Sequence, residues 1–567
     1  MGIWYTDILQ ERAVCLSDSA NTAAVEVHID GYITNRKKLL EKLHLKATSD
    51  TASLVSAVYE RDGINGLYKL DGSFALLMID RKRGAFLLYR SFLTGPPLYF
   101  TCQNNRLSVS TNPVTLLSCE GLFDTLDHGQ MSALFALETE AWNGTVFSDL
   151  QEVEHGEAVL VSIKGMRRIR RPLAEVFSKP DYGSESEMIE RYRYLVQKAI
   201  EKHIAPNKTY GIMLSSGMDS STLAFFASQQ LKRYGKTLRA YSWTLPNYPK
   251  ADETEKIKIL CRELDIPLTL VEVEHLDPFS NLDRLPLKPD LPFSNLYSVM
   301  ITEVYAHASM DGVDVLFNGH YGDELFPSTS TLFIDILKEG RYELLMPTAV
   351  SILHQTGYRH FLKSTAVRGF LRTMLPFLKG KKSGFHVPIW LSADAKKCRE
   401  TVRVDQKVYK RFSSALSKVN TSSGMGRYLT KPYHLERIEP YADADLLNYM
   451  LHLPAYMVYR DGKSKYIARE AMKGLLPDSI RLQPRVGMLG QFAEESFRKN
   501  VETVQERLFK DVQAWNLYVD EKWMREKFKT PIDIKGKELL VVWMCLNLGA
   551  WKKAICPGGS LYEDARI

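Results

Sequence analysis

The chain has 567 residues, of which 45% are apolar and 25% charged, with a formal net charge of +7. That length and apolar share are enough to bury at least two cores, which excludes a disordered or fibrous chain and favours two or more domains. The positive balance is mild for the length, so a solvated basic face accounts for it and nothing argues for a nucleic-acid partner.

Seven cysteines, at 15, 102, 119, 261, 398, 545 and 556, show no Cys-x-x-Cys spacing, which speaks against a zinc site or disulfide framework and for reduced thiols in the cytoplasm. The opening stretch MGIWYTDILQERAVC has no apolar signal core, and no later run reaches the roughly 20 apolar residues that span a bilayer. A soluble, cytoplasmic protein with no membrane partner is expected.

From residue 1 to about 175, short apolar runs alternate like strands at 24–29, 74–79, 85–89 and 158–162, with brief helical spacing at 51–60. This predicts an antiparallel, β-rich layered domain with a few helices. The stretch Leu70-Asp71-Gly72-Ser73-Phe74-Ala75, followed by Asp80, Tyr89-Arg90, Gly95 and Pro97-Leu98-Tyr99-Phe100, resembles the class II glutamine amidotransferase domain. Gly31 to Asn35, GYITN, resembles an earlier strand and turn of the same domain. The resemblance implies an N-terminal-nucleophile β-sandwich with helices, in which a Cys exposed after Met removal uses its own α-amine as base. Position 2 is Gly2, and the nitrogen of Cys15 lies in a peptide bond, so the domain over 1–175 is expected to be a degenerate, inactive scaffold. Any amine used elsewhere would then come from the substrate or from solution.

Residues 176–190 carry turn formers, and helical spacing begins at Glu187 with Ile189, Tyr192, Leu195, Val196 and Ile200. Apolar runs at 210–214, 238–243, 268–273 and 313–317 then alternate with helices, which predicts a parallel sheet and an α/β domain over 187–567. Ligands of such sheets sit at the carboxyl ends of the strands. The first run leads into Leu214-Ser215-Ser216-Gly217-Met218-Asp219-Ser220, a turn of small and hydroxyl residues that either only turns the chain or cradles an anion at a helix start. Two rival phosphate loops, at Gly235 and Gly462, lack the earlier Gly of a Walker A loop, having Gln230 and Met457 there. Trp243 ends the second run, where an adenine site could be built. Asp252 and Glu253 open the helix at 254–264 and are expected to act only as capping acids.

The fourth run ends in Asn318-Gly319-His320-Tyr321-Gly322-Asp323-Glu324, a Gly-rich turn with two acids that suits a metal better than a cap. Residues 327–430 read as helical and basic, with a run from Lys379 to Gly384 expected to be a solvated loop. Ser215 to Ser220 is similar to the Ser-Gly-Gly-x-Asp-Ser pyrophosphate loop of the ATP-pyrophosphatases, with Ser216 for the first Gly. Gly319 to Glu324 resembles the Gly-x-Gly-x-Asp-Glu signature of the asparagine synthetase and β-lactam synthetase superfamily. Residues 387–391, VPIWL, resemble a Pro-Trp element of that superfamily. His434 to Asp443 resembles His-Gly-x-Glu-x-Arg-x-Pro-Phe-x-Asp, with Glu436 in place, the Arg displaced and Glu439 before Pro440. Lys465 matches the lysine of Lys-x-x-x-Arg.

This resemblance, from about 187 to 551, implies an adenine-nucleotide α-hydrolase-like ATP-pyrophosphatase domain that uses ATP and Mg2+ to adenylate a carboxylate and then form an amide. It implies a nucleotide and pyrophosphate site at Leu214, Ser215, Ser216, Gly217, Met218, Asp219, Ser220, Trp243 and Gly319, with Asp219 and Asp323 as metal ligands. Lys465 would face the oxyanion. His320 would pair with Glu436 to accept the amine proton, or else bind AMP or line the pocket. Gly2 and His320 both depart from the asparagine-forming pattern, and the two signature loops look most like those of lasso-peptide cyclases. The expected substrate is then a leader-free core peptide, closed from an Asp or Glu side chain onto its N-terminal amine, with a leader peptidase and a precursor-recognition protein as candidate partners. The alternatives are a small-molecule or asparagine-type synthetase, or a catalytically silent binding protein.

Overall fold

A computed structural model of the chain describes residues 4–7, 12–15, 24–104, 106–138, 144–170, 180–326, 329–357, 367, 387–400, 426, 428–483, 489–529 and 532–555. Position 2, the basic run at 379–384 and most of 359–382 lie outside them.

The first half holds two five-stranded sheets. One is built from β1 (Trp4–Asp7), β2 (Arg12–Cys15), β6 (Tyr99–Gln103), β7 (Arg106–Ser110) and β8 (Gln151–Glu152), in the order β2-β1-β7-β6-β8. The other contains β3 (Val25–Ile33), β4 (Gly72–Asp80), β5 (Ala85–Arg90), β9 (Glu157–Ser162) and β10 (Gly165–Arg170), in the order β10-β9-β5-β4-β3. All pairs are antiparallel except β1 with β7. Because strand side chains alternate between faces, Ala75, Leu77 and Ile79 of β4 meet Phe100, Leu107 and Val109 of the first sheet. Leu76 and Met78 face the other way, onto Leu54, Val55 and Val58 of the helix Thr51–Asp62, which Asp50 caps by accepting from the Ser53 N–H at 2.6 Å. The sequence predicted this layering.

The helix Glu185–Glu201 opens the second half with a capping box between Ser184 and Glu187. A fully parallel sheet follows, built from β11 (Tyr210–Met213), β12 (Leu238–Thr244), β13 (Leu268–Glu272), β14 (Val315–Asn318) and β15 (Glu436–Ile438), in the order β13-β12-β11-β14-β15. The four predicted strands are there. The fifth, β15, was not predicted as a strand, because three residues of mixed polarity at a sheet edge carry no periodic signal.

The two halves share one core. Tyr99, Phe135 and Phe147 pack in the same cluster as Phe279, Trp543 and Trp551, the last two from the long helix Lys537–Ile555. A buried polar chain crosses beside it: the Tyr99 hydroxyl donates to Asp290 Oδ2 at 2.8 Å and Lys288 Nζ donates to the same oxygen at 2.6 Å. Trp390, in the 387–391 stretch, donates its indole N–H to the Phe135 carbonyl at 2.9 Å.

Candidate active site

In the parallel sheet the chain leaves β11 toward β12 and β13 on one side, while β14 and β15 lie on the other. The carboxyl ends of β11 and β14 therefore flank the crevice at which such sheets bind ligands. Met213 and Asn318 are register partners, so the loops that follow them run side by side. Glycine makes their contact possible: a Cβ on Gly319 would stand 3.0 Å from the Ser220 nitrogen, and one on Gly322 would stand 2.3 Å from Asp219 Cγ. Any side chain at Gly322 would collide with the carboxylate arm of Asp219.

Across this seam Asp219 and Asp323 share one cation. Lys465, in the left-handed region with φ 58 just before the helix Tyr466–Ala471, donates to Asp219 Oδ2 and lies 2.7 Å from Asp323 Oδ1. Burial works against its charge, but the two carboxylates outweigh burial and hold Lys465 above its ordinary value. Asp219 stands in the first turn of the helix Met218–Arg233, where the N-terminal dipole favours an anion. Two hard carboxylate oxygens from two strand ends suit Mg2+, which takes one or two protein carboxylates and completes its shell with phosphate oxygens and water. Among the described residues no group of three or more His, Cys, Asp or Glu could hold a metal by itself. Asp219 and Asp323 are the residues that would hold one here, with a nucleotide supplying the remaining oxygens.

The cradle is more specialised than its sequence suggested. The Ser215 N–H donates to Ser220 Oγ at 3.1 Å, the two hydroxyls are 2.9 Å apart, and the Gly217 N–H donates to Ser215 Oγ at 3.3 Å. Leu214 and Met218 bury their side chains in the core, so only their backbone can face a phosphate. Ser216 turns away from the crevice. It is 0% exposed, and its N–H donates to Glu253 Oε2 at 2.7 Å. The expectation that Glu253 is only a helix cap is therefore corrected: Asp252 does the local work, accepting from Thr254 Oγ1 at 2.6 Å, while Glu253 reaches the loop. Trp243 stands at the carboxyl end of β12, half-buried against Tyr241 and Leu245.

His320 and Glu436 are not brought together. The His320 N–H donates to Asn318 Oδ1 at 2.8 Å, just past the carboxyl end of β14, whereas Glu436 opposes Val315, the first residue of that strand. Three residues of parallel strand, at roughly 3.3 Å each, separate those levels by about 10 Å. The charge of Glu436 acts instead on Tyr210 at the amino end of β11, and its side lines a cavity of about 570 Å³ between the two halves, with Tyr32, Asp71, Lys202 and His203. The acid at the carboxyl end of β15 is Glu439, whose Oε1 lies 2.8 Å from Arg437 Nε. Burial first, then Arg437, push His320 down to about 4 against the opposing pull of Asp323, so the ring is neutral.

Sequence reasoning missed three contacts. The Tyr441 hydroxyl donates to the Asp219 carbonyl at 3.1 Å, Lys256 Nζ donates to Gln483 Oε1 at 2.9 Å, and Gln483 Nε2 donates to the Ser216 carbonyl. Tyr441 stood inside a motif and could have been found; Lys256 and Gln483 carry no motif signal.

Residues 191–553 match the asparagine synthase family, and residues 16–171 match the glutamine amidotransferase domain family. A putative asparagine synthetase [glutamine-hydrolyzing] 2 of Methanocaldococcus jannaschii is 21% identical over 56% of this chain and 61% of its own length. Asparagine synthetase [glutamine-hydrolyzing] 3 of Bacillus subtilis is 22% identical over 78% of this chain and 71% of its own length. The amidase chyE of Penicillium rubens is 23% identical over 57% of this chain and 49% of its own length. The match thus spans less than two thirds of the first and third of these relatives.

Proposed function

The chain belongs to the asparagine synthase family, and from that premise we propose that it is an ATP-dependent, AMP-forming amide ligase that closes a macrolactam ring within a leader-free core peptide. The observation that carries the ligase reading is the convergence of Asp219 and Asp323 on Lys465 beside the Ser215–Ser220 cradle.

In this reading the substrate carboxylate attacks the α-phosphorus of ATP, the bond to the β-phosphate oxygen breaks, and pyrophosphate leaves into the cradle. Mg2+ held by Asp219 and Asp323 would neutralise charge on the phosphate oxygens. Lys465, the cation at the same seam, faces the negative charge that builds on the acyl oxygen when the amine attacks. The amine nitrogen bonds to the acyl carbon, the bond from that carbon to the AMP phosphate oxygen breaks, AMP leaves, and the proton that the nitrogen gives up passes to solvent. His320 is neutral and offers a ring nitrogen to an amine N–H, but at about 4 it is too weak a base to keep the proton.

The intramolecular amine is the finer part of the proposal. It is supported by His320, an uncharged ring where asparagine-forming members carry an acid, and therefore a poor partner for the ammonium of free aspartate. The asparagine-type reading is favoured by the names of the bacterial and archaeal relatives. Purified protein with ATP, Mg2+ and a core peptide should release pyrophosphate and yield a peptide lighter by one water. Asparagine formed from aspartate and ammonium would favour the second reading, and no pyrophosphate with any carboxylic acid would leave a binding protein.

A further inference from the structure

We propose that Gln483 is a positioning residue that holds the phosphate cradle in shape through Ser216, with Lys256 fixing its amide and Glu253 gripping the same residue from the other side; this rests on reading the cradle as the pyrophosphate site. All three polar groups of the fully buried Ser216 are engaged from outside the loop. Its N–H donates to Glu253 at 2.7 Å, its carbonyl accepts from Gln483 Nε2, and its hydroxyl lies 3.3 Å from the same nitrogen. The far end of the amide cannot turn, because Gln483 Oε1 accepts from Lys256 Nζ at 2.9 Å, and this leaves only the NH2 to face Ser216.

The grip comes from two elements that bear no phosphate motif. Glu253 is the N-cap residue of the helix Thr254–Leu264 and Lys256 lies in its first turn, while Gln483 follows the short helix Asp478–Arg481. The Gln483 carbonyl accepts from Arg469 Nη1 at 3.2 Å, and Arg469 also donates from Nε to the Ser464 carbonyl, next to Lys465, at 2.8 Å. Gln483 thereby ties the cradle, through its side-chain amide, to the stretch of chain that presents Lys465, through its backbone carbonyl. Ser216 also stands where the resembling loop has Gly, and a hydroxyl at that sealed position needs the partner that Gln483 supplies. Ser216 itself is sealed from solvent, so the effect on phosphates passes through Ser215, Gly217 and Ser220.

The test uses the full-length protein, inorganic pyrophosphate with Mg2+ in calorimetric titration, and ATP-dependent pyrophosphate release for KM and kcat. Gln483→Glu keeps the size and the Lys256 contact but removes the donor; Gln483→Leu removes both. Each is expected to weaken pyrophosphate binding about tenfold, the worth of one buried hydrogen bond, and to raise the KM for ATP more than it lowers kcat. Adding Ser216→Gly to Gln483→Leu removes the stranded hydroxyl and should recover part of the thermal midpoint and of the binding. Unchanged pyrophosphate affinity in Gln483→Glu, or losses that simply add in the double variant, would overturn the proposal. Failure of the unsubstituted protein to bind pyrophosphate would overturn the ATP-site reading itself and this proposal with it, and is recognised by the flat titration of the parent.

Discussion

Lys465 carries the largest share of the chemistry assigned to any one side chain, since it is a cation placed against both Asp219 and Asp323. Replacing it with Met keeps the volume and removes the charge. Amide product formation should fall by about 10²–10³, as when a single transition-state donor is lost. Gly322 makes a different claim. Its missing side chain is what lets Asp219 approach, so Gly322→Ala should abolish activity by separating the two carboxylates, and crystallography or Mg2+-dependent nucleotide binding would show the loss. Single residues also mark where sequence reading stops. Asp219, Asp323 and Lys465 were legible because each stands in a motif at a strand or helix end. Glu253 reads as a cap because an acid before a helix is favoured there whatever else it does, and Gln483 gives no signal because its contact with Ser216 spans 267 residues of sequence.

Elements were easier to read than the spatial phase between them. Four strands of the parallel sheet and the helices Thr51–Asp62 and Thr254–Leu264 followed from apolar spacing. The three-residue β15 did not, and missing it misplaced Glu436 by the length of a strand, because parallel pairing with Val315 fixes that residue at the amino end. The helix Glu185–Glu201 offers a clean check: Ser184→Ala breaks its capping box and should cost about 1 kcal/mol in denaturant unfolding. Just past that helix, His203 meets Tyr32 edge-on at 5.6 Å across the two halves, and burial, aided by Lys202, pushes it from 6.5 down to about 4. The unfolded chain takes up the proton first, so this contribution is complete above pH 6.5 and is lost as pH falls toward 4. Melting temperature against pH should therefore fall less steeply in His203→Gln than in the parent over that window.

At the scale of the whole molecule, the amidotransferase-like half is built into the core of the synthetase-like half. Asp290, 0% exposed, takes hydrogen bonds from Tyr99 of one half and Lys288 of its own, so Asp290→Ala strands a buried ammonium and should cost about 3–5 kcal/mol. Because Trp543 and Trp551 pack in the same cluster as Phe135 and Phe147, both halves should melt together and at a lower temperature in that variant. Two independent transitions would contradict the shared core. The central claim, however, is that this crevice adenylates a carboxylate of a peptide and delivers it to the peptide's own amine. Incubating the full chain with ATP, Mg2+ and a leader-free core peptide, and following pyrophosphate together with peptide mass, tests it directly: the account predicts one pyrophosphate per product and a loss of one water. Pyrophosphate release that requires aspartate and ammonium, with the peptide mass unchanged, would contradict it.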